Sequence, residues 1–241
     1  MTVEIQATQL LRSGLLAGVS VVLAGANRGG AAPAIGTALA ALGAEVSECE
    51  LVCSGEPEAD DARVQTALGQ ALGSSGGGAH ALVVDAGAMF DRQSGLAATG
   101  AVGPGVTGPS AADARGLIAA LEAAWRVTRA VANDAFIAPG TGGRIVYLAP
   151  ATPPVGASPG AASAVAVAER AEAARTGLEN LARTLSIEWA RYGITPVSIA
   201  PGLSTSAEEL AAVVAYLLSP AGAYFSGTEL DLRGPGAAVG R

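Results

Sequence analysis

Short runs of apolar and β-branched residues recur along the chain, separated by longer alanine-rich stretches with apolar residues at helical spacing. Continuous apolar runs that alternate with helices are typical of a parallel sheet covered by helices on both faces. The pattern therefore predicts an α/β fold with a doubly wound parallel sheet. Strands are expected at residues 19–24, 81–85, 144–148, 195–199 and 228–232, with a weaker one at 44–47.

The helical stretches are marked by their apolar periodicity and by signals at their ends. Apolar residues recur at helical spacing through residues 110–136 and again through residues 164–192, where Gly193 ends the pattern. Ser206 and Glu209 form a capping box, which predicts a helix from there to Leu218. None of the intervening loops separates regions of different composition, so residues 1–241 are expected to form a single domain. Loops are expected at residues 74–78, 95–110 and 149–163.

The composition excludes several classes of function. All 14 basic residues are arginine, and the formal net charge is -7. Without lysine, neither Schiff-base chemistry nor a phosphate-loop lysine is available, and an acidic chain lacks the basic clusters that bind nucleic acid. One histidine, His80, and two cysteines, Cys49 and Cys53, are too few to ligate zinc. No metal is expected.

The sequence carries no sign of export or of membrane insertion. Glu4 stands where a signal peptide would carry positive charge, and the apolar run at residues 14–26 is shorter than the ~20 residues that span a bilayer. We therefore expect a cytoplasmic protein that does not associate with membranes, with both cysteines as free thiols.

A glycine-rich loop follows the first predicted strand. It runs from Ala24 through Gly25, Gly29 and Gly30 into a helix that carries apolar residues at helical spacing. Glycines between a strand and a helix N-terminus allow backbone amides to approach a pyrophosphate. The same glycines can also make a tight strand-to-helix turn, and the loop by itself does not distinguish the two.

Several segments resemble the short-chain dehydrogenase/reductase family, in particular its acyl-carrier-protein reductase-like branch. The likeness extends over residues 14–236 and implies a Rossmann-type sheet with an NAD(P)-binding crevice at the carboxyl ends of the strands. The segments that carry it follow one another in the family's order, at residues 16–26, 82–87, 143–146, 177–185 and 193–202.

The resemblance also implies four catalytic positions, and the chain lacks the family's residue at each. Ala171 stands at the position of the tyrosine general acid and Arg175 at that of the lysine which lowers the tyrosine's pKa. Ala149 and Pro150 replace the serine, and Ala120 replaces the asparagine. No catalytic residue is therefore expected, unless Ser158, Tyr147 or Arg175 provides relocated chemistry.

The cofactor crevice departs from the family pattern as well. One residue is inserted between Gly25 and Gly30, Ala32 takes the third glycine position, and residues 84–87, ending in Gly87, replace the family's Asn-Asn-Ala-Gly run. Too few residues lie between the second strand and residue 81 for the family's usual helix, third strand and next helix together, so the third strand is expected to be shortened or missing. Residues 203–205 stand where the family inserts a substrate lid. No cofactor is expected. If one binds, NAD is favoured over NADP, because Glu48 and Glu50 would repel a 2′-phosphate.

The segments that form association surfaces in this family are the better retained ones, at residues 110–136, 164–192 and 226–236. The sequence therefore predicts a non-catalytic subunit of a dimer or tetramer with an active reductase paralogue. An NAD(P)-dependent oxidoreductase with relocated catalytic groups, acting on a hydroxyacyl, ketoacyl, alcohol or ketone substrate, and a nucleotide-binding sensor are the alternatives. The expected interface residues are Trp125, Arg129, Gly177, Leu181 and Trp189.

Overall fold

The computed structural model describes residues 11–25, 30–49, 54, 56–74, 78–93, 111–152 and 162–233 of the 241-residue chain. Strands and helices alternate through these residues, as the hydrophobic pattern predicts. The strands are β1 (Ser20–Ala24), β2 (Glu45–Cys49), β3 (Ala81–Asp85), β4 (Gly143–Leu148), β5 (Ile194–Pro201) and β6 (Glu229–Leu232). The α-helices are α1 (Ala32–Ala41), α2 (Pro57–Ser74), α3 (Ala86–Gln93), α4 (Ala111–Val131), α5 (Ala162–Glu188) and α6 (Ala207–Leu218).

The six strands form one parallel sheet in the order β2-β1-β3-β4-β5-β6. All predicted strands are present, including the weak one, and their ends agree with the prediction to within two residues. The chain order reverses next to β1, and in open sheets of this kind the crevice beside such a reversal is where ligands bind. The predicted α/β class and doubly wound sheet are confirmed.

The connection between β2 and β3 is contracted, as the sequence predicts. Its described residues form a single helix, α2, which buries Val64, Leu68 and Ala71 against the sheet. In this part of the described chain no strand lies between the two, so β2 forms the edge of the sheet.

Each face of the sheet has its own core, because successive residues of a strand point to opposite faces. Val22 and Leu82 belong to the core beneath α2, α4 and α5, whereas Val21 and Leu23 belong to the core beneath α1 and α6. In the described parts of the chain, no helix is both long and apolar enough to cross a membrane, and no three ligating side chains come together as a metal site.

The helix ends follow the predicted signals. Ser206 Oγ accepts the Glu209 amide at 3.1 Å, and the Glu209 carboxylate accepts the Ser206 amide at 2.7 Å, so the capping box is formed. Gly193 has φ +69 after α5 and its terminal 3₁₀ turn. The helix predicted at 110–136 is α4 followed by a π-helical turn at Ala132–Ile137. The loop predicted at 95–110 and most of the loop at 149–163 lie outside the described residues.

The sulfur of Cys49, at the end of β2, is predicted to be chemically inert in the native protein. Cys49 is a free, buried thiol, and burial raises its pKa to about 11. In a Cys53→Ser background, we expect no reaction of Cys49 with Ellman's reagent at pH 8 until urea unfolds the chain. Rapid labelling of the folded protein would contradict this burial.

Candidate functional site

The candidate site lies at the carboxyl ends of β1, β3 and β4, where the sequence places the cofactor loop. Its central residue is Asp85, the last residue of β3, which is only 3 % exposed. Asp85 Oδ2 accepts the backbone amides of Ala31 at 3.2 Å and Ala32 at 3.1 Å. Its Oδ1 accepts the amide of Ala88 at 2.9 Å. One carboxylate thus caps the first turns of both α1 and α3.

This arrangement gives α1 a cap that its own sequence lacks. Ala31 precedes the helix and has no side-chain acceptor for the unpaired amides of the first turn. A carboxylate at a helix N-terminus also interacts favourably with the partial positive charge of the helix dipole. The carboxylate of Asp85 therefore takes the place that an anionic ligand would occupy at α1.

The two described glycines of the loop are required by its packing on Asp85. Gly25 has φ +98 and Gly30 has φ +81, conformations that side-chain-bearing residues rarely adopt. A Cβ at Gly30 would lie 2.7 Å from Asp85 Oδ2, and one at Gly25 would lie 2.8 Å from the Asp85 carbonyl oxygen. In the described part of the loop, the glycines thus allow a strand-to-helix turn to pack directly against the Asp85 carboxylate. Gly29 lies outside the described residues.

A dinucleotide pyrophosphate would compete with Asp85 for the described amides of this loop. The amides of Ala31 and Ala32 that would bind it already donate to Asp85. A second anion at about 4 Å from that carboxylate would be repelled by about 4 kcal/mol per unit charge at an effective dielectric constant of 20. Ala32 is fully buried in the core beneath α1 and α6, so its methyl group faces the protein interior.

The ends of β3 and β4 also approach each other closely. A Cβ at Gly87 would lie 3.3 Å from the Ala149 carbonyl oxygen and 3.5 Å from Pro150 Cα. Pro150, at the serine position, is buried and provides no hydroxyl. The described hydroxyl nearest in sequence belongs to Thr152, which the sequence analysis missed. It is 1 % exposed, and its Oγ1 has no hydrogen-bond partner in the described part of the chain.

The positions of the tyrosine and the lysine both lie on α5. Ala171 is 4 % exposed and packs in the core. The guanidinium of Arg175 pairs with Glu229 of β6 and with Glu172 at 2.5 Å, and these carboxylates raise the pKa of Arg175 above its usual value. Arg175 is therefore held as a cation that links α5 to the last strand. The side chain of Ala120, on α4, is outside the described part.

The phenol of Tyr147 is enclosed in the core. Tyr147 is fully buried, and its hydroxyl donates to Thr128 Oγ1 at 3.1 Å. Burial raises its pKa well above the usual range of tyrosine, so the hydroxyl stays protonated. Tyr147 is therefore a packed strand residue, and its hydroxyl is not accessible to a substrate. Ser158, the other hydroxyl considered for relocated chemistry, lies outside the described residues.

An apolar surface, which we call the α4–α5 face, extends along the two long helices. Its aromatic part is the stacked pair Trp125 and Trp189, with ring centroids 6.0 Å apart. Gly177 allows the helices to pack closely, because a Cβ there would lie 3.0 Å from Leu121 Cδ1. Five partly buried residues define the face: Leu117, Leu121, Trp125, Leu181 and Trp189.

Arg129 lies on α4, and its guanidinium pairs within the chain. It is 2.9 Å from Asp61 of α2, and both side chains are nearly half exposed. Arg126 binds the same helix through Asp60, Asp61 and the Pro57 carbonyl. These contacts tie α2 to α4 in the region where the sheet connection is contracted.

No family model matches the sequence, and the search of curated proteins found no match. Solved structures do match it. A citronellol catabolism dehydrogenase from Pseudomonas aeruginosa is 26% identical, with a TM-score of 0.67 over 95% of this chain and 98% of that one. A short-chain dehydrogenase from Mycobacterium smegmatis is 22% identical, with a TM-score of 0.69 over 92% and 94%. A 3-ketoacyl-(acyl-carrier-protein) reductase from Brucella melitensis complexed with NADH is 19% identical, with a TM-score of 0.68 over 92% and 99%.

Proposed function

We propose that the chain, whose fold is similar to that of solved short-chain dehydrogenases and reductases, is a non-catalytic member of the short-chain dehydrogenase/reductase family. In this proposal it is a structural subunit of a hetero-oligomer with an active dehydrogenase or reductase of that family. The observation that carries this proposal is the Asp85 carboxylate at the N-terminus of α1. It replaces the anion-binding site of the cofactor by an internal hydrogen-bond network. We accordingly propose that the chain binds neither NAD nor NADP.

The residues at the catalytic positions support the same proposal. General acid catalysis needs a titratable group within reach of the substrate. Ala171 and Pro150 carry none, the Tyr147 phenol is enclosed, and the Arg175 guanidinium is paired with carboxylates. After β5, the chain passes through residues 202–206 directly into α6, with no room for a substrate lid.

The α4–α5 face is the surface that we propose for association. Large apolar side chains that remain partly exposed beside a glycine contact are typical of helical interfaces. An obligate interface of this kind would bury more than about 2,000 Å² and be notably apolar. We propose an active reductase paralogue as the partner, in a dimer or tetramer located in the cytoplasm. Neither nucleic acid nor membrane is part of the assembly.

The absence of cofactor binding can be tested directly. We expect isothermal titration calorimetry of the purified chain to detect no binding of NAD⁺, NADH, NADP⁺ or NADPH at micromolar concentrations, because the α1 amides are already bound to a carboxylate. An active family member serves as the positive control. A micromolar dissociation constant without turnover would favour the nucleotide sensor, and turnover by the isolated chain would favour an oxidoreductase with relocated groups.

The hetero-oligomer is tested by co-expression. We expect native mass spectrometry to show the chain in a complex of defined stoichiometry with a reductase encoded near it. The same reductase expressed alone should be less stable or less active. Recovery of this chain as a monomer from its native host, with no reductase bound, would contradict the proposal.

A further inference from the structure

A second concave feature lies at the opposite edge of the sheet, where β1, β3, β4 and β5 begin. It is a cleft of about 370 Å³, at the lower end of the range for small-molecule sites, which is roughly 300–1,000 Å³. Gly142, with φ +68, lines the cleft. A side chain does not fit at this position, because a Cβ there would lie 2.8 Å from the Gly193 carbonyl oxygen. The two turns that precede β4 and β5 therefore touch through their backbones.

The cleft contains a cation without a carboxylate partner among the described residues. Arg144, the second residue of β4, is partly buried and donates one N–H to the carbonyl of Leu218, at the end of α6. Burial lowers the pKa of Arg144, but an arginine remains charged at neutral pH. By contrast Arg175, another partly buried arginine, has three carboxylates within 4 Å. Among the described residues, no acidic one lines the cleft beside Arg144.

Two further hydrogen-bonding side chains line the cleft with this cation. His80 Nδ1 accepts the Ser20 amide at 3.0 Å, so the ring N–H is at Nε2, which has no acceptor among the described residues. Thr195, whose side chain carries a hydroxyl, also lines the cleft. Ser20, which donates its amide to His80, also donates its hydroxyl to the Glu45 carboxylate at 3.2 Å. Glu45 itself does not line the cleft.

We propose that this cleft binds a small organic carboxylate. Its head would pair with the guanidinium of Arg144 and accept from His80 Nε2 or the Thr195 hydroxyl, because a guanidinium presents donors that match a carboxylate. Its apolar body would lie against Pro220, an exposed residue that also lines the cleft. The site is independent of the cofactor crevice, which is at the carboxyl ends of the strands.

The single histidine makes this proposal testable by one signal. We expect benzoate, used as the probe, to shift the imidazole ¹H–¹³C resonance of His80 saturably at millimolar concentrations. The neutral isostere benzyl alcohol should leave this resonance unchanged. Arg144→Gln should weaken benzoate binding by about tenfold or more. Arg144→Lys keeps the charge and should retain part of the affinity. Arg183→Gln, which removes an arginine outside the cleft, should bind benzoate as the unmodified chain does.

The contrary results are equally definite. No saturable shift with benzoate, equal affinity for benzyl alcohol, or unchanged binding by Arg144→Gln would each overturn the assignment. Inorganic phosphate is titrated in parallel, and binding of phosphate without benzoate would overturn the choice of a carboxylate with an apolar body. Far-ultraviolet circular dichroism establishes whether each variant is folded. If Arg144→Gln does not fold, the benzoate affinity of Arg144→Lys relative to the unmodified chain tests the proposal.

Discussion

Replacement of Asp85 by alanine is expected to lower the free energy of unfolding by about 3 kcal/mol, a large fraction of the stability of an ordinary domain. The substitution leaves the amides of Ala31, Ala32 and Ala88 without their acceptor. Hydrogen bonds to a charged group contribute about 1.5–3 kcal/mol each, and water can rescue part of the loss at the loop. Urea denaturation followed by tryptophan fluorescence measures the change.

Two further variants make the result specific. Asp85→Asn keeps one acceptor oxygen and should lose about half as much stability as Asp85→Ala. Asp134→Ala removes an exposed carboxylate that has no described partner, and it should change the stability by less than about 0.5 kcal/mol. If Asp85→Ala costs no more than Asp134→Ala, the amides of α1 and α3 do not depend on this carboxylate, and our explanation of the loop glycines is wrong.

Features set by neighbouring residues could be predicted from the sequence. The strands follow from continuous apolar runs, and the capping box of α6 joins Ser206 to Glu209, three residues apart. The contraction between β2 and β3 follows from chain length, since the residues available there suffice for one helix. Each of these predictions needs only local periodicity or a count of residues.

The role of Asp85 could not be predicted in this way, because its amide partners on α1 lie 53 and 54 residues earlier in the chain. The sequence shows only that an aspartate replaces an asparagine of the family pattern. The pairing of Arg175 with Glu229 likewise joins residues 54 apart. The sequence aligned Arg175 with a catalytic lysine, and the structure places its guanidinium against β6. Alignment assigns Arg175 to a position on α5. The direction of its guanidinium depends on Glu229 of β6, which is distant in sequence and supplies the counter-ion.

Leu181→Arg is expected to weaken association with the partner by at least roughly thirtyfold, the effect of losing one hot-spot side chain. Leu181 is a partly buried residue of the α4–α5 face and packs at the margin of the core. An arginine there would place an unpaired charge in an apolar interface, where its desolvation is not compensated. Trp189→Glu tests the same face less cleanly, because it also destroys the stacking with Trp125 inside the chain.

The matched control is Thr184→Arg, which adds the same charge to an exposed position of α5 three residues away. Sedimentation velocity of each variant with the co-purified reductase measures association, and thermal unfolding of the isolated chain measures the cost to the fold. We expect Leu181→Arg to lose the complex while the isolated chain still unfolds cooperatively, and Thr184→Arg to keep it. If both variants associate equally well, the α4–α5 face is not the interface, because a buried charge at its centre would not be tolerated.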